Sequence, residues 1–125
     1  MNVVDSSGWL EYFADGRNAG FFARAIEDTR RLVVPTLCVF EVYRRVVQQR
    51  NEAEALNAIA LMRQGRAVEL DTRLALAAAS LSLRERLPTA DSIILATARA
   101  EGAVLWTQDA DFEGKAGVRF VAVRR

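Results

Sequence analysis

The chain has 125 residues, with 17 basic and 16 acidic side chains, one cysteine and no histidine. That length suits one domain, residues 1–125, around one core, and 51% apolar content argues against disorder. The missing histidine excludes Ser–His and Cys–His nucleophile pairs and Cys/His zinc sites, and a net charge of +1 argues against gripping long duplex nucleic acid with the whole surface.

Residues 2–5 read as a short buried strand, with Ser6 and Ser7 as capping residues for a short helix over 8–14. Asp15-Gly16 breaks that helix, and a second follows over 18–28. Residues 31–34 form a second strand ended by Pro35. Thr36 caps a helix to residue 50, and Asn51 opens another to about residue 64, stopped by Gly65. A third strand covers 67–70. Asp71 or Thr72 caps a long helix that runs to residue 87, where Pro88 ends it. Thr89 caps a helix over 90–101, ended by Gly102. A fourth strand covers 103–106, and a tight loop leads to a fifth over 118–123. Short apolar strands alternating with helices predict a parallel sheet covered on both faces. No apolar run reaches the ~18 uncharged residues of a membrane span, and the first residues read as a strand rather than a signal peptide. The expectation is a cytoplasmic protein with no membrane contact.

Three acids each stand as the only charge in an apolar run: Asp5 in residues 1–10, Glu41 in 32–43 and Asp91 in 87–98. A buried carboxylate is costly unless it is hydrogen-bonded, paired or metal-bound. In an open parallel sheet, ligands bind beyond the carboxyl ends of the strands. Asp5 ends the first strand, Glu41 lies in the second turn of the helix after the second, and Asp91 lies in a first helical turn. Asp109 follows the fourth strand. Together they predict an acidic pocket for a hard divalent cation, because only oxygen ligands remain. The structural alternatives are a helix cap for Asp5, an ion pair with Arg44 or Arg45 for Glu41, helix-dipole stabilisation for Asp91 and ordinary loop chemistry for Asp109 and Asp111. Cys38 reads as a buried packing residue.

Val3-Val4-Asp5-Ser6-Ser7 resembles the opening strand of PIN-domain ribonucleases. Pro35-Thr36 followed by Glu41 is similar to the family's second acidic motif. Residues 87–98, Leu-Pro-Thr-Ala-Asp-Ser-Ile-Ile-Leu-Ala-Thr-Ala, resemble the third, and residues 105–112, Leu-Trp-Thr-Gln-Asp-Ala-Asp-Phe, the fourth. The last two motifs are specific. The length suits stand-alone VapC-type toxins of toxin–antitoxin pairs. The resemblance implies a three-layer α/β fold with a five-stranded parallel sheet in the order 3-2-1-4-5. It also implies a Mg2+- or Mn2+-dependent endoribonuclease, inhibited by a cognate antitoxin and forming a homodimer. The catalytic acids carry over to Asp5, Glu41, Asp91 and Asp109, with Asp5 and Asp91 as direct metal ligands. Ser7 and Thr107 would orient carboxylates, and Asp111 would either ligate metal through water or shape the loop. The region of the first helix and the Glu41 helix would receive the antitoxin, and the aromatics Trp9, Tyr12, Phe13, Phe21 and Phe22 serve either that groove or the core.

Sixteen of the 17 basic residues are arginine, which reflects either composition bias or phosphate recognition. Arg44 and Arg45, on the Glu41 helix, are the candidates nearest the acids, with a solvated face as the alternative. The competing functions are a PIN-like nuclease acting in RNA processing or on DNA, a non-catalytic PIN-like binding domain, and a phosphoacceptor signalling module. The last needs paired acids at the first strand and a well-placed lysine, whereas the first strand carries one acid and Lys115 sits in a loop.

Overall fold

A computed structural model describes residues 1–124. Its five strands form one sheet in the order β3-β2-β1-β4-β5, and every pairing is parallel. β1 (Asn2–Val4) lies at the centre, between β2 (Leu32–Pro35) and β4 (Val104–Thr107). The edge strands are β3 (Arg66–Val68) and β5 (Val118–Phe120). Burial follows this order. Val3, Val4, Val33, Val34 and Leu105 are fully enclosed, as expected for strands covered on both faces, whereas Arg66 and Ala67 of β3 are exposed.

Six helices surround the sheet: α1 (Ser6–Phe13), α2 (Ala19–Ile26), α3 (Thr36–Gln49), α4 (Glu52–Met62), α5 (Thr72–Glu85) and α6 (Thr89–Ala100). Asn51 and Asp71 cap α4 and α5, each accepting a 2.8 Å bond from a backbone N–H three residues on. Arg86 leaves α5 through a left-handed residue, φ 55°, and the chain turns at Leu87-Pro88 into α6. None of the helices is long and apolar enough to cross a membrane.

Several expected boundaries shift. Ser6 and Ser7 are not caps but the first two residues of α1, and Asp5 takes the position before them. Pro35 and Pro88, rather than Thr36 and Thr89, stand before α3 and α6. A proline's fixed φ and missing N–H suit the edge of a helix, and the following threonines are already helical. β3 stops at Val68 and β5 at Phe120, two and three residues short of the sequence reading. Each lies at a sheet edge, where only one neighbour supplies a ladder.

The aromatics divide between core and surface. Trp9 and Phe22 are fully buried, while Leu10, Tyr12, Phe13 and Phe21 are partly buried against the core. Phe13 stacks on Trp9 with centroids 5.7 Å apart, and Phe21 meets Trp106 at 5.0 Å. Gly8 allows α1 to lie close to α2 and β1, because a Cβ there would come within 2.5 Å of Phe22 and 2.8 Å of Val4.

Candidate active site

The acids are positioned where the sheet ends. The backbone N–H of Asp5 donates 2.9 Å to the carbonyl of Trp106, extending the β1–β4 ladder by one residue. Asp5 is therefore held beside Thr107. Its side chain does not cap α1. It accepts instead from Ser7 Oγ at 2.7 Å and Thr107 Oγ1 at 2.9 Å, both on Oδ2. Asp5 is only 4% exposed, and burial pushes its carboxyl pKa upward against the opposing pull of those two hydroxyls.

Thr107 is a relay. Its hydroxyl donates to Asp5 and accepts 2.9 Å from the backbone N–H of Asp109. Asp109 Oδ1 in turn accepts 2.9 Å from the backbone N–H of Asp111, closing an Asx turn over a short 3-10 segment, Ala110–Phe112. Phe112 anchors this loop in the core with no exposed surface. α6 ends at the start of β4, so its opposite end lies over the carboxyl edge of the sheet and carries Asp91 in its first turn.

Asp91, Asp109 and Asp111 each offer a carboxylate oxygen, and these oxygens lie within 4.8 Å of one another. Asp5 and Glu41 are outside that mutual distance, but Asp5 is electrostatically part of the cluster. Asp91 is pushed up to about 7, first by burial and then by the charges of Asp109, Asp5 and Asp111. A hydrogen bond to Asp111 that requires the proton adds to this. Carboxylates crowded this closely fit a hard divalent cation: they are all-oxygen donors, and their repulsion favours any positive charge placed among them.

Glu41 reaches the site from α3. Its Oε1 accepts 2.7 Å from Ser6 Oγ, the residue next to Asp5. The alternative pairing with Arg44 or Arg45 is absent among the described residues. Cys38, one turn earlier, is fully buried, and burial together with the charge of Asp5 drives its thiol pKa up, so it is an inert packing residue.

Two supporting residues escaped the sequence reading. Ser6 is not a cap: its hydroxyl holds Glu41. Two hydroxyl residues directly after a buried acid exceed what one cap requires, and that surplus was the available signal. Asn18 is 2% exposed, and its amide donates to Gln108 Oε1 at 3.0 Å and to the carbonyl of Ala122 at 2.9 Å. It ties the α1–α2 turn to the residue before Asp109. Nothing local in the sequence separates it from an ordinary helix-opening asparagine.

The sequence model of the PIN domain matches residues 3–118. The chain belongs to the PIN domain family. Several solved structures superpose on it along nearly the whole length. A toxin–antitoxin complex from Klebsiella pneumoniae gives a TM-score of 0.77 at 21% identity, covering 95% of this chain and 96% of that one. VapC20 of Mycobacterium tuberculosis, described as a sarcin-ricin loop cleaving toxin, gives 0.77 at 19% identity and covers all of both chains. VapBC2 from Rickettsia felis, bound to a DNA fragment from its promoter, gives 0.75 at 9% identity and covers 97% of each. No curated protein matches in sequence. The PIN domain's expected strand order, 3-2-1-4-5, is the one observed.

Proposed function

We propose that this PIN domain is a divalent-metal-dependent endoribonuclease, the toxin of a toxin–antitoxin pair, which hydrolyses RNA phosphodiester bonds. The observation that carries the reading is the convergence of acids from three separate segments, with Asp91, Asp109 and Asp111 within mutual reach and Asp5 adding its charge. Asp5, Glu41, Asp91 and Asp109 form the catalytic set. Asp5 and Asp91 would hold Mg2+ or Mn2+ directly, with Glu41 and Asp109 acting through water. Asp111 stands close enough to share the ion with Asp91 and Asp109.

A bound divalent cation would polarise the scissile phosphate and lower the pKa of an attacking water. The chain's own residues supply the positioning. Ser7 and Thr107 fix one oxygen of Asp5, and Ser6 fixes one oxygen of Glu41. A nearby carboxylate of the set would take the proton of the attacking water. In-line attack by water would leave a 5′-phosphate and a 3′-hydroxyl.

The antitoxin assignment draws support from the structurally similar toxin–antitoxin complexes. It also draws on a groove of about 350 Å³ between α1, α3 and α4, lined by Leu10, Phe13, Val46, Ala58 and Leu61 among others. An apolar helical segment of an antitoxin would fit it. A homodimer and a cytoplasmic location complete the reading.

Purified protein incubated with matched RNA and DNA, with and without Mg2+, tests it. RNA cleavage that needs metal and is lost in Asp5→Asn and Asp91→Asn, with circular dichroism unchanged, is the expected result. Cleavage by either variant at the parent's rate would overturn the site assignment, and a preference for DNA would overturn the substrate.

A further inference from the structure

One face of α3 is largely exposed among the described residues. Phe40, Arg44 and Gln48 follow at four-residue spacing, with Glu41 and Arg45 beside them, so all five lie along one side of the helix. They line a cavity of about 220 Å³. Phe40 is 58% exposed. Glu41 stands three and four residues before Arg44 and Arg45, the spacing of a helical ion pair, but Ser6 holds its carboxylate. Among the described residues neither arginine joins an ion pair. An exposed ring and two exposed guanidinium groups thus flank the one acid of the catalytic set that α3 contributes.

Resting on the ribonuclease reading above, we propose that this face receives a single-stranded stretch of the RNA substrate beside the scissile phosphate. An unpaired base stacks on Phe40, and Arg44 and Arg45 hold the adjoining phosphates. The charge balance favours this occupant. The acidic crevice repels a polyanion, so cations just outside it are needed to bring phosphates close. Arginine's planar fork matches phosphate oxygens, and an aromatic face accepts any base that is not already stacked in a duplex. Gln48, one turn beyond Arg44, offers an amide to a base edge.

The test is binding without cleavage. A fluorescein-labelled oligouridylate and a blunt RNA duplex are titrated with the full chain, free of divalent metal, at several salt concentrations, and read by anisotropy. Phe40→Ala is expected to weaken binding of the single strand about ten- to a hundredfold. Arg44→Ala and Arg45→Ala are each expected to flatten the slope of log affinity against log salt by about 0.7, the loss of one single-strand phosphate contact. Duplex binding should be weaker than single-strand binding and indifferent to Phe40. No binding of the single strand by the parent, or unchanged affinity and salt slopes in all three variants, overturns the proposal. So does a Phe40→Ala variant that turns a dimer into a monomer in sedimentation while binding RNA as before, because the face would then join copies of this chain. Cleavage is not required, so failure here leaves the nuclease reading standing, and an inactive parent leaves the binding result standing.

Discussion

Ser6 Oγ and Glu41 Oε1 lie 2.7 Å apart and join the first turn of α1 to the second turn of α3. Ser6 is itself buried, so this bond crosses from one sheet-end helix to another where water has little access. Ser6→Ala leaves the Glu41 carboxylate without its donor. A hydrogen bond to a charged group is worth about 1.5–3 kcal/mol, so kcat/KM should fall about tenfold or more. Ser6→Thr should retain most activity if the added methyl is accommodated. Equal rates for Ser6→Ala and the parent would show that Glu41 needs no fixed orientation.

Thr107 carries two duties, one bond to Asp5 and one from the Asp109 backbone. Thr107→Val keeps the shape and removes both. Metal affinity, read by calorimetry, should drop about 10- to 100-fold, the usual cost of losing a group that orients metal ligands. Thr107→Ser should restore it. A metal affinity in Thr107→Val equal to the parent's would leave Thr107 as a packing residue only.

Asp91 makes metal-free stability depend on pH. Its folded value is raised to about 7 from 3.8. A raised acid favours the fold when protonated, so its contribution is complete below 3.8 and is lost as pH rises through about 7. The melting temperature of the metal-free parent should fall over that window relative to Asp91→Asn, which has no such group. Added Mg2+ should raise the parent's melting temperature more above about pH 7 than below it, because protons compete for the same carboxylate. Parallel melting curves of parent and variant across the window would contradict the crowding of charges at this site.

Phe112 is fully buried directly after the Asp109–Asp111 turn. Phe112→Ala should cost about 3–5 kcal/mol of stability, measurable by urea unfolding. It should also weaken metal binding beyond what Phe112→Leu does, because the loop loses its anchor. A large stability loss with unchanged metal affinity would mean that the acidic turn holds its shape without the core.

Most of the sheet was legible because central strands are near-continuous apolar runs between turn residues. Residues 2–4, 32–34 and 104–106 read correctly for that reason. The edge strands were overextended, since their apolar residues continue past the last ladder bond and only tertiary pairing decides where a strand stops. Asp5, Glu41 and Asp91 stand out as lone charges in apolar surroundings, and Asp109 by its place after the fourth strand. What the sequence did not carry was their partners. Ser6–Glu41 spans 35 residues and Asn18–Gln108 spans 90, and contacts at that separation leave no local periodicity. Glu41 stands at helical pairing distance from Arg44 and Arg45, yet its carboxylate accepts from Ser6 instead.

β1 lies in the middle of the sheet, yet one of its two neighbours, β4, is far away in sequence and ends only at Thr107. Asp91 and Asp109 are likewise far in sequence from Asp5, one on α6 and the other just after β4. Without β4 the chain has neither a complete sheet nor an assembled set of carboxylates. The crevice can exist only once segments far apart in the sequence have met, so the pocket forms together with the tertiary fold rather than before it.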